Sequence, residues 1–243
     1  YLTDDLHPKI PNILKGLKYY SRFTEQLLSK PIAKSKTVFN NKKVTDHHAI
    51  IPTGVAPSGI SPAENKIYDL GGLDIKAEGT FRPEHFQGVA LVVDRLLQYV
   101  GPCKLYLGQK DIQQFQVIKY MIANTLHKVE PVMCPTIRES NGLAMSSRNK
   151  HLGSEEKSQL GVIHDTLTWA AKNILNKSVK DIISDAKEKL LECIYINDVE
   201  YFDILKLNDL EPVINISRSE TLVVCVALNT NKARLIDNIL LFY

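Results

Sequence analysis

Apolar residues in the middle of the chain change between helical and extended spacing. Residues 85–100 and 111–126 place apolar side chains on one helical face, which predicts two buried helices. Shorter apolar runs at 104–107 and 130–135 predict strands that separate and follow these helices. Connections of this length join parallel strands, and ligands of such sheets bind beyond the carboxyl ends of the strands. The chain is therefore expected to contain a parallel α/β domain.

A polar segment follows the first of these strands and consists of Gly108, Gln109, Lys110 and Asp111. The segment precedes a helix, whose first amide groups attract phosphate, and Lys110 would add a positive charge beside them. Gln114 lies in the first turn of the same helix, where its side chain would point into the cleft above the sheet. A surface lysine and a solvated glutamine are the alternatives that these two residues leave open.

A second polar segment, residues 141–149, has the composition of a loop, with an Asn-Gly pair that favours a turn. Ser146 and Ser147 offer hydroxyl and amide donors, and Arg148 can hold two phosphate oxygens at once. A loop of this kind, closing over Lys110, could hold a nucleotide triphosphate and stabilise charge during adenylyl transfer. The same residues also fit a plain solvated turn.

The pattern changes after this loop. Residues 154–175 predict one long helix, and a capping box at Ser178 predicts another helix that ends near Cys193. Strand-like runs follow at 195–196, 201–205 and 221–228. These patterns predict a small α+β domain at the C-terminal end.

Several blocks resemble one known family in their order along the chain: 78–89, 107–114, 135–139, 141–149 and 233–238. Together they resemble the C-terminal half of the pantoate–β-alanine ligases, the pantothenate synthetase family, from about Gly72 to Leu240. The resemblance implies a partial Rossmann-like nucleotide-binding domain followed by a small α+β C-terminal domain.

The resemblance also implies an activity. Members of this family activate pantoate with ATP, accompanied by Mg²⁺, to a pantoyl adenylate, and β-alanine then displaces AMP. Gln114 matches a pantoate-binding position of the family. The positions that match ATP-binding residues are Gly108, Gln109, Lys110, Asp111, Ile137, Met145, Ser146, Ser147 and Arg148. The family usually has glutamate where this chain has Gln109, which removes a negative charge beside Lys110.

Arg82 and His85 stand in the first of these blocks and are candidates for a supporting role, although an ion or hydrogen-bonded pair at a helix start explains them equally well. The resemblance further implies a homodimer. None of the seven histidines lies in the His-x-Gly-His signature of the family, which binds ATP and supplies the catalytic histidine. We therefore expect no ligase activity from this chain by itself, and an open edge in the sheet formed by residues 72–138.

A different resemblance marks the first 70 residues. Residues 43–53 are similar to type IA DNA topoisomerases of the topoisomerase III kind, and His47 matches a histidine of that family. Residues 1–70 hold ten basic and six acidic residues, which suits weak DNA binding and equally suits a solvated basic face. Three parts are thus predicted: a mostly helical and loop topoisomerase-like fragment (1–70), a nucleotide-binding remnant (71–138) and the C-terminal domain (139–243).

Composition limits the class of protein. Hydrophobic residues make up 44% and charged residues 23% of the chain, as in ordinary globular proteins. No apolar run approaches the length of a membrane span. The four cysteines are far apart and form no Cys-x-x-Cys pair. We therefore expect buried thiols, no zinc site and a cytoplasmic protein.

Overall fold

The computed structural model describes residues 48–50, 66–216 and 220–242, which form two three-stranded sheets with their helices. The first sheet is parallel and consists of β1 (His48–Ile50), β2 (Cys103–Gly108) and β3 (Val129–Cys134), with β2 in the centre. Its helices are α1 (Glu78–Phe81), α2 (His85–Val100) and α3 (Ile112–Ala123). The predicted parallel α/β unit is confirmed.

The ends of the two long helices of this unit can be compared with the ends that the apolar spacing predicts. Helix α2 begins and ends where the spacing predicts. Helix α3 is shorter than predicted: it ends at Ala123, and Leu126 is fully exposed. The side-chain amide of Asn124 donates a hydrogen bond of 2.9 Å to the carbonyl of Tyr120 and so closes the last turn.

The C-terminal part has three helices instead of the two predicted: α4 (Ser154–Gln159), α5 (Val162–Asn173) and α6 (Val179–Leu191). The single helix expected at 154–175 is interrupted because Asn141 packs against it. The Asn141 amide donates to the carbonyls of Lys157 (2.6 Å) and Ser158 (3.0 Å). A Cβ atom at Gly161 would lie 2.4 Å from the carbonyl oxygen of Asn141, so only glycine fits at the break.

The second sheet is antiparallel and consists of β4 (Asp198–Lys206), β5 (Leu222–Asn229) and β6 (Arg234–Leu241) in that order. Residues 195–196, predicted as a strand, form a turn instead. The spacing does not predict β6, because its apolar pattern is interrupted by Arg234, Asp237 and Asn238. These three polar residues find partners inside the protein, as described below.

Strand β5 joins the two parts of the protein, because both of its faces are buried. Val223, Cys225 and Ala227 belong to the core shared with the α/β domain. The alternate residues belong to the core under the C-terminal helices: Leu222, Val224, Val226 and Leu228. The predicted domains 71–138 and 139–243 are therefore packed against each other through this sheet.

Most predictions for the first 70 residues, including His47 and the mostly helical and loop fragment, lie outside the described residues. Strand β1 belongs to this stretch and pairs in parallel with β2, with His48 opposite Lys104. The central strand thus has a neighbour on each side, and the edges of the described sheet are β1 and β3. The edge that residues 72–138 would leave open beside β2 is covered by β1.

The cysteines differ in burial. All four are free thiols, but only Cys225 is fully buried, so the expectation of four buried thiols is wrong. Cys103 and Cys134 are partly exposed because they stand at the ends of β2 and β3. Among the helices in the described ranges, none is long and apolar enough to cross a membrane.

Candidate functional site

The predicted polar residues meet in a cleft between the turn that follows β2 and strand β6. Two adjoining cavities form the cleft, and Lys110 lines both of them. The inner cavity is also lined by Arg82, His85, Asp111 and Gln114. The loop cavity is also lined by Ser146 and Arg148. The structure therefore brings together residues that the sequence places on three separate segments.

Residues Gln109–Asp111 form one turn of 3-10 helix between β2 and α3, at the strand end predicted for them. The Lys110 ammonium lies 3.7 Å from the Asp111 carboxylate, and its side chain is only 18% exposed. Asp111 precedes α3, and its side chain makes no capping hydrogen bond. A cation with limited access to water thus stands at the start of a helix, where anions bind.

Two neighbouring glutamines on α3 differ in what they do. The Gln113 side chain accepts a hydrogen bond from the amide of Glu78 (2.9 Å) and donates to the carbonyls of Leu73 (2.7 Å) and Lys76 (2.8 Å). Gln114 is 8% exposed and lines the inner cavity. Its amide makes no hydrogen bond with any described residue, so the solvated and the ligand-binding interpretations of Gln114 both stay open. An amide with free bonding capacity at a cavity wall suits a polar ligand.

The second predicted segment begins with a tight hairpin. The amide of Met145 donates to the carbonyl of Ile137 (2.9 Å), and Arg138 forms a β-bridge with Ala144. Ile137 and Met145 remain exposed, at 67% and 50%, and line neither cavity. Gly142 turns the hairpin with a φ of 90°, a value that L side chains rarely adopt.

Arg148 follows on a short 3-10 turn that begins at Ser147. Ser146 precedes the turn, and its Oγ accepts a hydrogen bond from the Arg148 amide (3.3 Å). The Arg148 guanidinium donates to the carbonyl of Arg234 (3.0 Å), which holds it beside the loop cavity. Ser147 and Gly108 are exposed and do not line either cavity.

Arg82 and His85 both line the inner cavity, but they do not pair with each other. Arg82 lies 3.5 Å from the buried carboxylate of Glu78, which is a long ion pair. Burial, and after it the positive charge of Arg82, lowers the pKa of His85 below its usual value. A lowered pKa favours the neutral imidazole, whose ring can both donate and accept a hydrogen bond.

A buried ion network lies against the inner cavity, and the sequence analysis missed it. Arg234 on β6 donates to both oxygens of Glu78 (2.7 and 2.8 Å) and to Glu200 on β4 (2.7 Å). The Tyr201 hydroxyl donates a third hydrogen bond to Glu78 (2.9 Å). Burial raises the pKa of Glu78, but the hydrogen bonds and charge of Arg234 outweigh it and leave the pKa below its usual value. The network joins α1 to the C-terminal sheet, and charged residues within β6 were its only signal in the sequence.

Two further residues of β6 hold the predicted segments in place. Asp237 accepts two hydrogen bonds from Arg138 in the hairpin (2.6 and 3.1 Å). Asn238 donates from its side chain to the carbonyls of Gln109 (3.0 Å) and Lys110 (2.9 Å). Both residues stand in block 233–238, and their roles depend on partners far away in the chain.

A separate polar cluster surrounds Asp94 on α2, away from the cleft. Its carboxylate accepts hydrogen bonds from Lys66 (2.7 Å) and Tyr68 (2.7 Å) and lies 2.6 Å from the ring of His127. Burial raises the pKa of Asp94, but these partners outweigh it and lower the pKa to about 2. These bonds join Lys66, Tyr68 and His127 to α2, so the cluster stabilises the fold.

The fold and the cleft define the class of protein: an α/β protein with cationic and polar groups gathered beyond a parallel strand and covered by a C-terminal antiparallel sheet. Comparison with known sequences identifies the group within this class. The sequence profile of the pantoate-β-alanine ligase family matches residues 44–240. The chain therefore belongs to the pantoate-β-alanine ligase family.

Individual relatives agree with this assignment. The chain is 38% identical over 182 residues to the pantothenate synthetase of Cytophaga hutchinsonii, in an alignment that covers 73% of this chain and 63% of that protein. The crystal structure of pantothenate synthetase from Thermus thermophilus superposes with a TM-score of 0.67 at 33% identity, over 76% of this chain and 67% of that one. The chain thus spans less than two thirds of the length of the curated relative.

A third similar protein carries ligands in its crystal structure. It is the pantoate-β-alanine ligase of Francisella tularensis, complexed with β-γ ATP and β-alanine. The TM-score is 0.52 at 28% identity, over 75% of this chain and 61% of that one.

The family match begins at residue 44, earlier than the resemblance predicted from about Gly72. It includes part of the segment that was predicted to resemble a topoisomerase, and β1 lies within that part. These comparisons give no support to the topoisomerase-like or chimeric interpretation of residues 1–70, which stays an untested prediction.

Proposed function

We propose that this chain belongs to an enzyme that condenses pantoate with β-alanine at the expense of ATP, and that the cleft around Lys110 holds the reacting groups. The observation that carries the proposal is the position of Lys110, which lines both cavities. An adenylating enzyme needs a cation where the phosphates of ATP meet the carboxylate that is activated. The family membership supports the same reaction.

The loop cavity is the proposed site for the phosphates. Lys110 and Arg148 supply two positive charges there, and Ser146 adds a hydroxyl. Ser147 lies outside the cavity between Ser146 and Arg148, so it would reach the phosphates only if the loop closed, and the start of α3 adds the positive end of a helix dipole. These groups stabilise the negative charge that develops as the pantoate carboxylate attacks the α-phosphate and pyrophosphate leaves.

The remaining predicted residues take the outer part of the nucleotide. Ile137 and Met145 present exposed apolar surface, which suits a purine ring, and the Gly108–Gln109 backbone forms the floor of the turn. Mg²⁺ would enter with ATP, and Asp111, which lines the inner cavity beside Lys110, would offer it an oxygen ligand of the kind that Mg²⁺ prefers.

The inner cavity is the proposed site for pantoate. Gln114 offers its unused amide to the hydroxyl or carboxylate oxygens of the substrate. Arg82 and His85 line the same cavity and support this binding. The β-alanine amine then attacks the acyl carbon of the pantoyl adenylate, a C–N bond forms, and AMP leaves with the phosphate oxygen. The implied homodimer and cytoplasmic location belong to this proposal and follow from the family resemblance.

The family's His-x-Gly-His signature is absent from the 243 residues, so we expect the chain to bind ATP without completing the reaction. Pantothenate formation above a no-enzyme control would contradict this expectation. The alternative function, weak DNA binding by residues 1–70, predicts a complex with duplex DNA that dissociates as salt rises.

Titration calorimetry with ATP and Mg²⁺ tests the nucleotide site. Lys110→Ala should weaken ATP binding about 10- to 100-fold, because a hydrogen bond to a charged group contributes about 1.5–3 kcal/mol. Lys150→Ala removes an exposed cation from the same loop region and should leave the affinity unchanged. Equal affinities for both variants would refute the assignment of Lys110.

A further inference from the structure

The turn that carries Lys110 is held from the C-terminal sheet by one side chain. Asn238 on β6 is 1% exposed, and its Nδ2 atom donates to the carbonyl of Gln109 (3.0 Å) and to that of Lys110 (2.9 Å). Its Oδ1 atom accepts a hydrogen bond from the Gln109 side chain (3.3 Å). Both hydrogens of the amide and its oxygen are thus used on a single turn.

This bonding pattern requires an amide at position 238. A carboxylate of the same shape can only accept hydrogen bonds, so it would face two carbonyl oxygens without a donor. An apolar side chain would remove the donor that both carbonyls use. Because little water reaches this place, the carbonyls would lose hydrogen bonds that water could not replace. The two bonded carbonyls flank the Cα atom of Lys110, and they therefore fix the direction in which its side chain leaves the turn.

The same strand also holds the loop on the other side of the cleft. Asp237 binds Arg138, and Arg138 donates to the carbonyl of Gly142 in the hairpin (3.0 Å). Consecutive residues of β6 therefore fix the Lys110 turn and the hairpin that leads to Arg148. The position of Lys110 relative to Arg148 therefore depends on β6.

We propose that Asn238 is a positioning residue for the ATP site: it fixes the Gln109–Lys110 turn and so directs the Lys110 ammonium towards the space between the two cavities. This inference rests on the proposed function, in which Lys110 binds the phosphates of ATP. It adds that ATP binding depends on the contact of the C-terminal sheet with the α/β domain.

The test compares the full chain with Asn238→Asp, Asn238→Ala and the control Asn197→Asp. Asn197 is exposed on the same half of the protein, and its side chain donates to Asn231 (2.8 Å), so it controls for the added negative charge. ATP affinity, measured by calorimetry at pH 7.5 with Mg²⁺, should fall at least about tenfold for Asn238→Asp relative to the control. Hydrogen exchange of residues 109–113 should rise more than exchange elsewhere.

A pH series separates positioning from a general loss of structure. A protonated carboxyl at position 238 can donate to one of the two carbonyls, so lowering the pH should restore part of the affinity of Asn238→Asp relative to Asn197→Asp. Asn238→Ala adds no charge and should weaken binding without such recovery. It also keeps the test decisive if the aspartate variant does not fold.

The outcomes distinguish the two proposals. If neither the unmodified chain nor Asn197→Asp binds ATP, the proposed nucleotide site fails, while local exchange at 109–113 still decides whether Asn238 fixes the turn. If the Asn238 variants bind ATP as tightly as the control, or if their exchange rises evenly over the whole chain, the positioning role is wrong.

Discussion

Replacing Glu78 with glutamine tests whether the buried ion network joins the two parts of the protein. Glu78 is 6% exposed, and Arg234 reaches both of its oxygens. Glutamine keeps the shape but turns one acceptor into a donor that faces a guanidinium N–H. Arg234 retains Glu200, so the full cost of an isolated buried charge, about 3–5 kcal/mol, is not expected. The lost charge-assisted hydrogen bond predicts a decrease in the free energy of unfolding of about 2–3 kcal/mol.

Urea unfolding at pH 7 measures this decrease by far-UV circular dichroism and by the fluorescence of Trp169, the one tryptophan of the chain. Coincident transitions by the two probes justify a two-state free energy. Glu211→Gln is the control, because Glu211 forms a 2.6 Å ion pair with Lys76 but is 54% exposed. Its loss should stay below about 1 kcal/mol, as for other surface ion pairs.

The stability difference between the protein and Glu78→Gln should depend on pH in a definite direction. Because the folded pKa of Glu78 is lowered from 4.5, its contribution is complete above the unfolded value and is lost as the pH falls through the folded one. The difference between the protein and Glu78→Gln should therefore be largest at pH 7 and shrink below about pH 4.5. Equal stability of Glu78→Gln and Glu211→Gln at pH 7 would refute the reasoning.

Three further changes test other contacts by the same unfolding assay. Gln109→Glu should cost about 1 kcal/mol, because the carboxylate cannot donate to Asn238 Oδ1 and faces it as a second acceptor. Asp94→Asn should cost about 2 kcal/mol at pH 7, which corresponds to a pKa lowered from 3.8 to about 2. This contribution is present above about pH 4 and is lost between about pH 4 and pH 2, so the variant and the parent should converge there. Gly142→Ala should cost about 1–3 kcal/mol, because φ is 90° and the new Cβ would lie 2.9 Å from His164.

Each of these changes has a matched control. Gln109→Ala removes the same donor without adding a charge, and a smaller loss than for Gln109→Glu is expected. Asp185→Asn breaks a 2.7 Å ion pair whose carboxylate is 41% exposed and should change little. Gly88→Ala meets no atom within 4 Å in helix α2 and should stabilise slightly. The corresponding explanation is wrong if a variant and its control lose the same free energy.

Local features of the sequence were sufficient for much of the fold. The apolar spacing of α2 defines both of its ends, and the cap at Ser178 marks the start of α6. The short strands around Lys110 lie within one or two residues of their predicted positions, because parallel strands in a buried sheet are apolar throughout. The strand end that carries Lys110 follows from this pattern alone.

Contacts between distant residues decided the features that the sequence analysis missed. The helix expected at 154–175 divides because Asn141 occupies its carbonyls, and β6 contains charges because Glu78 and Arg138 neutralise them. Neither partner is near in sequence, so spacing cannot reveal the pair.

The two glutamines of α3 show the same division. They are the same residue type at adjacent positions, and both are buried. Only the folded structure shows that the Gln113 amide is used by the backbone of residues 73–78, while the Gln114 amide is left for the inner cavity. The sequence determined most of the elements and where the predicted anion-binding segments stand, because local periodicity and turn residues act within a few positions. The tertiary structure decided which polar groups remain free to bind, because that depends on which distant partners have already satisfied the others.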